Sequence, residues 1–110
     1  MLAVRLMDAK ELTPDMRQDA IGRFLNVLQA QFNGLEYAFQ AKAKYQRLVA
    51  KYKPHPVEKS AAPDERAVIT RWEAAERTAH KRAFSPWPEL DRGAYFEIDL
   101  GPDEPAPERR

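Results

Sequence analysis

The fold is decided by residues 13–53, which read TPDMRQDAIGRFLNVLQAQFNGLEYAFQAKAKYQRLVAKYK. The stretch begins with a helix-start signal, because Thr13 can cap free N–H groups, Pro14 suits the first helical position and Asp15 complements the helix dipole. Large apolar residues then recur at spacings of four and three, which only a helix brings to one face. These residues, called the apolar strip below, are Ile21, Leu25, Leu28, Phe32, Leu35 and Phe39, with Phe24 widening the strip.

The dipeptide Asn33-Gly34 interrupts this pattern without shifting its phase, although Asn-Gly ordinarily indicates a helix stop or a turn. In one interpretation the helix continues with a kink and tolerates a cost of about 1 kcal/mol for Gly relative to Ala. In the other, Asn33 caps a new helix, with Glu36 at its third position and Phe32 packed on Tyr37. Too few residues lie between the two helical segments for a hairpin loop. We therefore favour a long helix, about 14–53, with a kink or break at Asn33-Gly34.

A second helix is predicted from about residue 64 to 83, after a Pro-rich linker at 54–63. The first helix ends before Pro54, because the residue that precedes a proline is pushed out of helical geometry. The second helix is expected to bury Val68, Trp72, Ala75, Ala79 and Ala83, with Ile69 at the edge of the buried side. Its water-facing residues are expected to be Arg66, Glu73, Arg77 and Lys81.

Both ends of the chain carry the alternating apolar pattern of a half-buried strand, at residues 2–6 and 95–100. An isolated strand cannot satisfy its backbone, so the two segments are expected to pair with each other or with a partner's sheet. The predicted fold class is therefore mostly α (α+β), with one helix-rich domain over residues 1–100. Residues 101–110 are predicted to be a tail rich in proline and acidic residues.

The composition limits the classes of function. The chain has 110 residues, 18 Lys and Arg against 17 Asp and Glu, and a formal net charge of +1. This balance excludes a global attraction to polyanions and leaves only local patches. The absence of cysteine excludes disulfides, thiolate nucleophiles and zinc fingers. With no long apolar run and no signal-peptide pattern, we expect a cytoplasmic protein that does not contact a membrane.

The sequence carries no catalytic motif. His55 lies between two prolines and is most simply an exposed loop residue. His80 shares a helix flank with Glu73 and Glu76, but an ordinary pair at spacing four is a better interpretation than a metal site, because no further ligand is evident. No serine lies in a Gly-x-Ser-x-Gly setting and no glycine-rich loop could cradle a phosphate. We therefore expect no catalytic residues, no metal and no cofactor.

A basic segment suggests an alternative function, a nucleic-acid-binding regulator that uses residues 37–53. Cations at helical spacing can contact successive phosphates, and tyrosines can stack on unpaired bases. A solvated helix face whose long side chains cover apolar neighbours explains the same pattern. The candidate nucleic-acid-binding residues are Tyr37, Lys42, Lys44, Arg47 and Lys51.

The primary functional prediction is binding of a protein partner by a non-enzymatic inhibitor, adaptor or assembly factor. Trp87 is framed by two prolines, which suits either a plug over the core or an anchor for a partner. Glu97 and Asp99 belong to an acidic segment that could cover the basic helix or meet a basic partner. The apolar strip exceeds what one short helix can readily cover, so it could also mediate homo-oligomerisation.

Overall fold

The structure, a computed structural model, describes residues 3–52 and 62–100. It is mostly helical with a two-stranded sheet, which confirms the predicted fold class. Most of the predicted linker and all of the predicted tail, 101–110, lie outside the described residues. In chain order the elements are β1 (Ala3–Met7), α1 (Pro14–Phe32), α2 (Leu35–Tyr52), α3 (Pro63–Ala83), a short 3-10 helix (Pro88–Leu90) and β2 (Tyr95–Asp99).

The start of α1 matches the sequence signal. The Thr13 hydroxyl oxygen accepts a hydrogen bond from the Met16 N–H at 3.2 Å, and Pro14 occupies the first turn with Asp15. Arg17, one turn further on, donates from Nη1 to the Leu6 carbonyl at 2.9 Å and from Nη2 to the Ala9 carbonyl at 2.8 Å. The beginning of α1 is thereby attached to β1 and to the connection that follows it.

The helix breaks at Asn33-Gly34, where the sequence predicts a kink or break. Asn33 adopts the left-handed conformation, with φ 62° and ψ 38°, and its N–H donates to the Gln29 carbonyl. The Gly34 N–H donates to the same carbonyl at 2.9 Å, while the Gly34 carbonyl accepts from the Ala38 N–H at 3.1 Å. Asn33 therefore caps the end of α1, and the idea that it caps the beginning of α2 is wrong; Gly34 takes that place.

The buried side of α1 is rotated from the predicted one. Its buried residues are Ala20, Phe24, Leu28 and Phe32, at a constant spacing of four, so Phe24 lies at the centre and not at the edge. The reason is the sheet, because the Phe96 ring of β2 stacks on the Phe24 ring with 4.1 Å between centroids. In α3 the predicted buried residues Trp72, Ala75, Ala79 and Ala83 are buried, but Ile69 is buried in place of Val68, which is half-buried.

The three helices meet at Trp72 of α3, which is fully buried. Its indole lies 5.8 Å from the Phe32 ring of α1 and 6.3 Å from the Tyr45 ring of α2, centroid to centroid. Small residues follow it on the same side of α3. Ala75, Ala79 and Ala83 are buried there and let the neighbouring helices approach closely.

The predicted pairing of the terminal strands is confirmed. β1 and β2 are antiparallel, with Leu6 opposite Phe96 and Arg5 opposite Glu97. Phe96 and Ile98 point into the core, where the Phe96 ring also meets Phe84 and His80 at the end of α3. Within the described ranges, none of the helices has the length and apolar character needed to cross a membrane.

Candidate functional site

Exposed cations are concentrated along α3. Between residues 66 and 82, this helix carries five exposed cations and one exposed carboxylate, Glu73, while a second carboxylate, Glu76, is half-buried. Glu73 accepts a hydrogen bond from the Tyr45 hydroxyl at 3.3 Å and is therefore directed toward α2. The cations extend over about 24 Å of helix, at 1.5 Å per residue. They form what is called the cationic face below: Arg66, Arg71, Arg77, Lys81 and Arg82.

Part of this charge has a structural explanation. Lys81 and Arg82 lie in the last turn of α3, where cations interact favourably with the negative end of the helix dipole. That explanation does not extend to Arg71 and Arg77, which lie near the middle of the helix. Among the described residues, no carboxylate lies within salt-bridge distance of Arg77, Lys81 or Arg82. These three cations are therefore available to an anionic ligand.

Two arginines connect α1 to α3 and show that the helices run antiparallel. Arg23 of α1 donates from Nε to the Ala83 carbonyl at 3.2 Å, and its guanidinium lies 5.0 Å from the centre of the Trp87 ring. Arg71 of α3 donates from Nη2 to the Gln31 carbonyl at 2.9 Å and lies over Phe32. Each arginine thus satisfies a carbonyl in the last turn of the facing helix with one N–H, while its guanidinium plane lies over an aromatic ring.

A groove of about 360 Å³ lies between these two helices, beside the cationic face. An adjoining hollow of about 330 Å³ continues it past the end of α3 and is lined by Thr78, Lys81, Arg82 and Ser85. The groove of about 360 Å³ is called the α1–α3 groove below. It combines two apolar side chains with amide, hydroxyl and guanidinium groups. Its lining residues are Arg23, Asn26, Val27, Ala30, Gln31, Thr78 and Arg82.

The candidate nucleic-acid-binding residues on α2 are only partly brought together. Tyr37 is 60% exposed, and Lys44 and Arg47 follow on the same exposed side of the helix. Lys42 instead folds inward, with its Nζ 5.2 Å from the Tyr45 ring centre and 5.3 Å from that of Trp72. Lys51 donates to Glu65 of α3 at 3.1 Å. Lys42 and Lys51 therefore serve contacts within the fold.

Glu65 joins the end of α2 to the beginning of α3. Its carboxylate accepts hydrogen bonds from the Tyr52 hydroxyl, from the Ala62 N–H at 3.1 Å and from Lys51 Nζ at 3.1 Å. These three donors, with the Tyr52 hydrogen bond the largest cause, lower the pKa of Glu65 to about 2. The same hydrogen bond raises the pKa of Tyr52.

Changing Glu65 to Gln is expected to weaken this connection and to remove its pH dependence. The pKa of Glu65 is lower in the folded protein than its ordinary value of 4.5. The contribution of Glu65 to the free energy of unfolding is therefore complete above pH 4.5. The contribution is lost as the pH falls through about 2. Urea unfolding midpoints of the wild type and Glu65→Gln measure this effect, which should be present at neutral pH and diminish at acidic pH. Glu11→Gln, at an exposed loop position, should leave both midpoints unchanged, and an equal effect of the two substitutions would contradict the assignment.

The candidate partner-binding residues lie apart from the cationic face. Trp87 is half-buried against the core beneath Arg23, which is the position of a plug. Glu97 pairs across the sheet with Arg5 at 3.2 Å, with both side chains largely exposed. Asp99 is exposed at the end of β2. β2 lies on Phe24, Phe84 and His80 and does not cover the basic side of α2.

The apolar strip is largely used within the single chain. Leu28 and Phe32 are buried, so a second copy could not contact them without opening the fold. The other four members, Ile21, Leu25, Leu35 and Phe39, are half-buried and packed against the core. Its role in self-association therefore stays a prediction, restricted to those four residues.

Compared with family models, with curated proteins and with solved structures, the chain matches none of them. In residues 3–52 and 62–100, no group of three or more His, Asp or Glu side chains is placed to hold a metal ion.

The sequence interpretation missed the residues that complete the site. It placed Arg66, Arg77 and Lys81 on the water-facing side of the second helix, but it assigned no role to Arg71 and Arg82 or to Arg23 of α1. The available signal was the near absence of acids at exposed positions between residues 66 and 82. That signal was diluted by the balanced charge of the whole chain.

Proposed function

We propose that this protein is a non-enzymatic binding protein that uses the cationic face of α3 to engage a protein partner with an acidic surface. It would act stoichiometrically, as an inhibitor, adaptor or assembly factor. The observation that carries the proposal is the exposed side of α3 between residues 66 and 82, where five cations meet one engaged carboxylate.

The charge pattern suits recognition better than stability. Among the described residues, no carboxylate pairs with Arg77, Lys81 or Arg82, so these three cations add little to folding through ion pairs. A patch of one sign accelerates encounter with an oppositely charged surface and disfavours other partners. Four of the five cations are arginines, whose guanidinium groups can bind a carboxylate with two parallel hydrogen bonds. The rigid helix holds these side chains in a fixed order.

The double charge reversal Arg77→Glu with Arg82→Glu is expected to weaken binding to a labelled glutamate-rich peptide about tenfold or more at low salt, or about 1.4 kcal/mol. Fluorescence anisotropy over a series of salt concentrations measures this. Lys10→Glu with Arg92→Glu changes the net charge equally at exposed positions outside α3 and is the matched control. Equal losses in the two variants, or no binding by the wild type, would reject the proposal.

The alternative, a nucleic-acid-binding regulator, is favoured by one observation: Tyr37, Lys44 and Arg47 are exposed together on α2. An exposed aromatic ring beside cations can stack on a base while the cations contact phosphates. Its test is oligothymidylate binding by Tyr37→Ala with Lys44→Glu, which spares Lys51 and its contact with Glu65. Salt-sensitive binding that this variant abolishes, combined with no binding of the acidic peptide, would favour the alternative.

A further inference from the structure

The α1–α3 groove has the composition of a contact surface for a helix. The apolar part of its lining, called the floor below, consists of half-buried Val27 and exposed Ala30, and the polar part includes Asn26, Gln31 and Thr78. Small residues let the backbone of an incoming helix approach closely, and polar groups along the walls can bond to its side chains. The described residues place no helix or strand of this chain over the groove.

We infer that this groove receives an acidic amphipathic helix of the partner, an inference that rests on the proposed function and adds its mode of binding. The groove runs between two antiparallel helices, from the Arg23–Ala83 contact at one end to the Arg71–Gln31 contact at the other. A third helix laid along such a groove packs its side chains between those of its neighbours.

The positions of the arginines specify what the helix must carry. Arg82 lines one end of the groove. Arg71 is not part of the lining but binds the carbonyl of Gln31, which lines the other end, and it lies eleven positions, or about three turns, from Arg82 on α3. A partner helix with carboxylates about three turns apart on one face can therefore reach both guanidinium groups. The positions between them must be apolar, because they lie over Val27 and Ala30.

A nucleic acid fits the groove less well than this helix. None of the residues that line it is aromatic, so bases would find no ring on which to stack. The floor at Val27 and Ala30 offers no hydrogen-bond donor to a phosphate. The cationic rim alone suits either ligand, but the apolar floor favours a ligand that has an apolar side.

The test fills the groove without changing any charge. Ala30→Trp places a large ring in the floor, whereas Ala50→Trp makes the same change at an exposed position of α2. The probe is a labelled synthetic helix with glutamates three turns apart and alanine and leucine between them. A peptide of the same composition in scrambled order is its control. Circular dichroism of both variants verifies that each is folded.

We expect Ala30→Trp to weaken binding of the ordered peptide at least tenfold, Ala50→Trp to leave it unchanged, and the scrambled peptide to bind more weakly than the ordered one. If Ala30→Trp binds normally while Arg77→Glu with Arg82→Glu does not, the groove assignment is overturned and the proposed function stands. If neither variant changes binding, or no acidic peptide binds, the groove assignment and the proposed function are both overturned. A third outcome is that an oligonucleotide displaces the peptide and binds Ala30→Trp as tightly as the wild type. That outcome would assign the cationic face to nucleic acid instead.

Discussion

Replacement of Trp72 by Ala is expected to lower the free energy of unfolding by about 3–5 kcal/mol, the range for removing a fully buried large aromatic residue. Trp72 contacts Phe32 of α1 and Tyr45 of α2, so the cavity would open where all three helices meet. The half-buried Lys42 also lies over its ring. Urea unfolding followed by circular dichroism measures the loss.

Trp72→Phe is the matched control. It keeps an aromatic ring at the junction and removes the indole Nε1, which is buried without a hydrogen-bond partner. Its loss should be smaller, about 1–2 kcal/mol, because a smaller cavity is partly offset by removal of that unsatisfied donor. A loss below about 1 kcal/mol for Trp72→Ala would mean that the helices do not meet at this residue.

The two glycines of the helical region are expected to respond to Ala in opposite directions. Gly34 has φ +138°, which L-residues rarely adopt, and a Cβ there would lie 3.3 Å from the Tyr37 ring. Gly34→Ala should therefore destabilise the protein by about 1–3 kcal/mol. Gly22 lies within α1 with open space around it, so Gly22→Ala should stabilise by about 0.5–1 kcal/mol.

This pair of substitutions tests the break between α1 and α2. A helix that continued through residue 34 would gain from Ala at both positions, since Ala is the better helix former. Thermal or urea unfolding of the two variants distinguishes the cases. Stabilisation by Gly34→Ala would show that the helix is continuous in solution.

Local signals in the sequence predicted much of the fold. Thr13-Pro14-Asp15 located the start of α1, the alternation in the terminal segments located both strands, and Asn33-Gly34 located the break. Each of these signals depends on residues within a few positions of one another. The central position of Phe24 could not be predicted this way, because it depends on Phe96, far away in the chain.

The candidate site was harder to predict for the same reason. Arg23 and Arg71 bind carbonyl groups 60 and 40 positions away in the chain, and no periodicity indicates such contacts. The sequence does not distinguish Lys42 and Lys51 from Lys44, yet their neighbours on α3 direct them to contacts within the fold. The charge of α3 was visible, but the groove beside it depends on how α1 and α3 pack.

The measurement that tests the central claim most directly is residue-resolved mapping of the bound peptide. Amide chemical-shift changes in ¹⁵N-labelled protein, titrated with the ordered acidic helix, report which surface it contacts. We expect the largest changes in α3 between residues 66 and 82 and in α1 between residues 23 and 31. Changes confined to residues 37–51 of α2 or to β2, or no changes at all, would contradict the central claim.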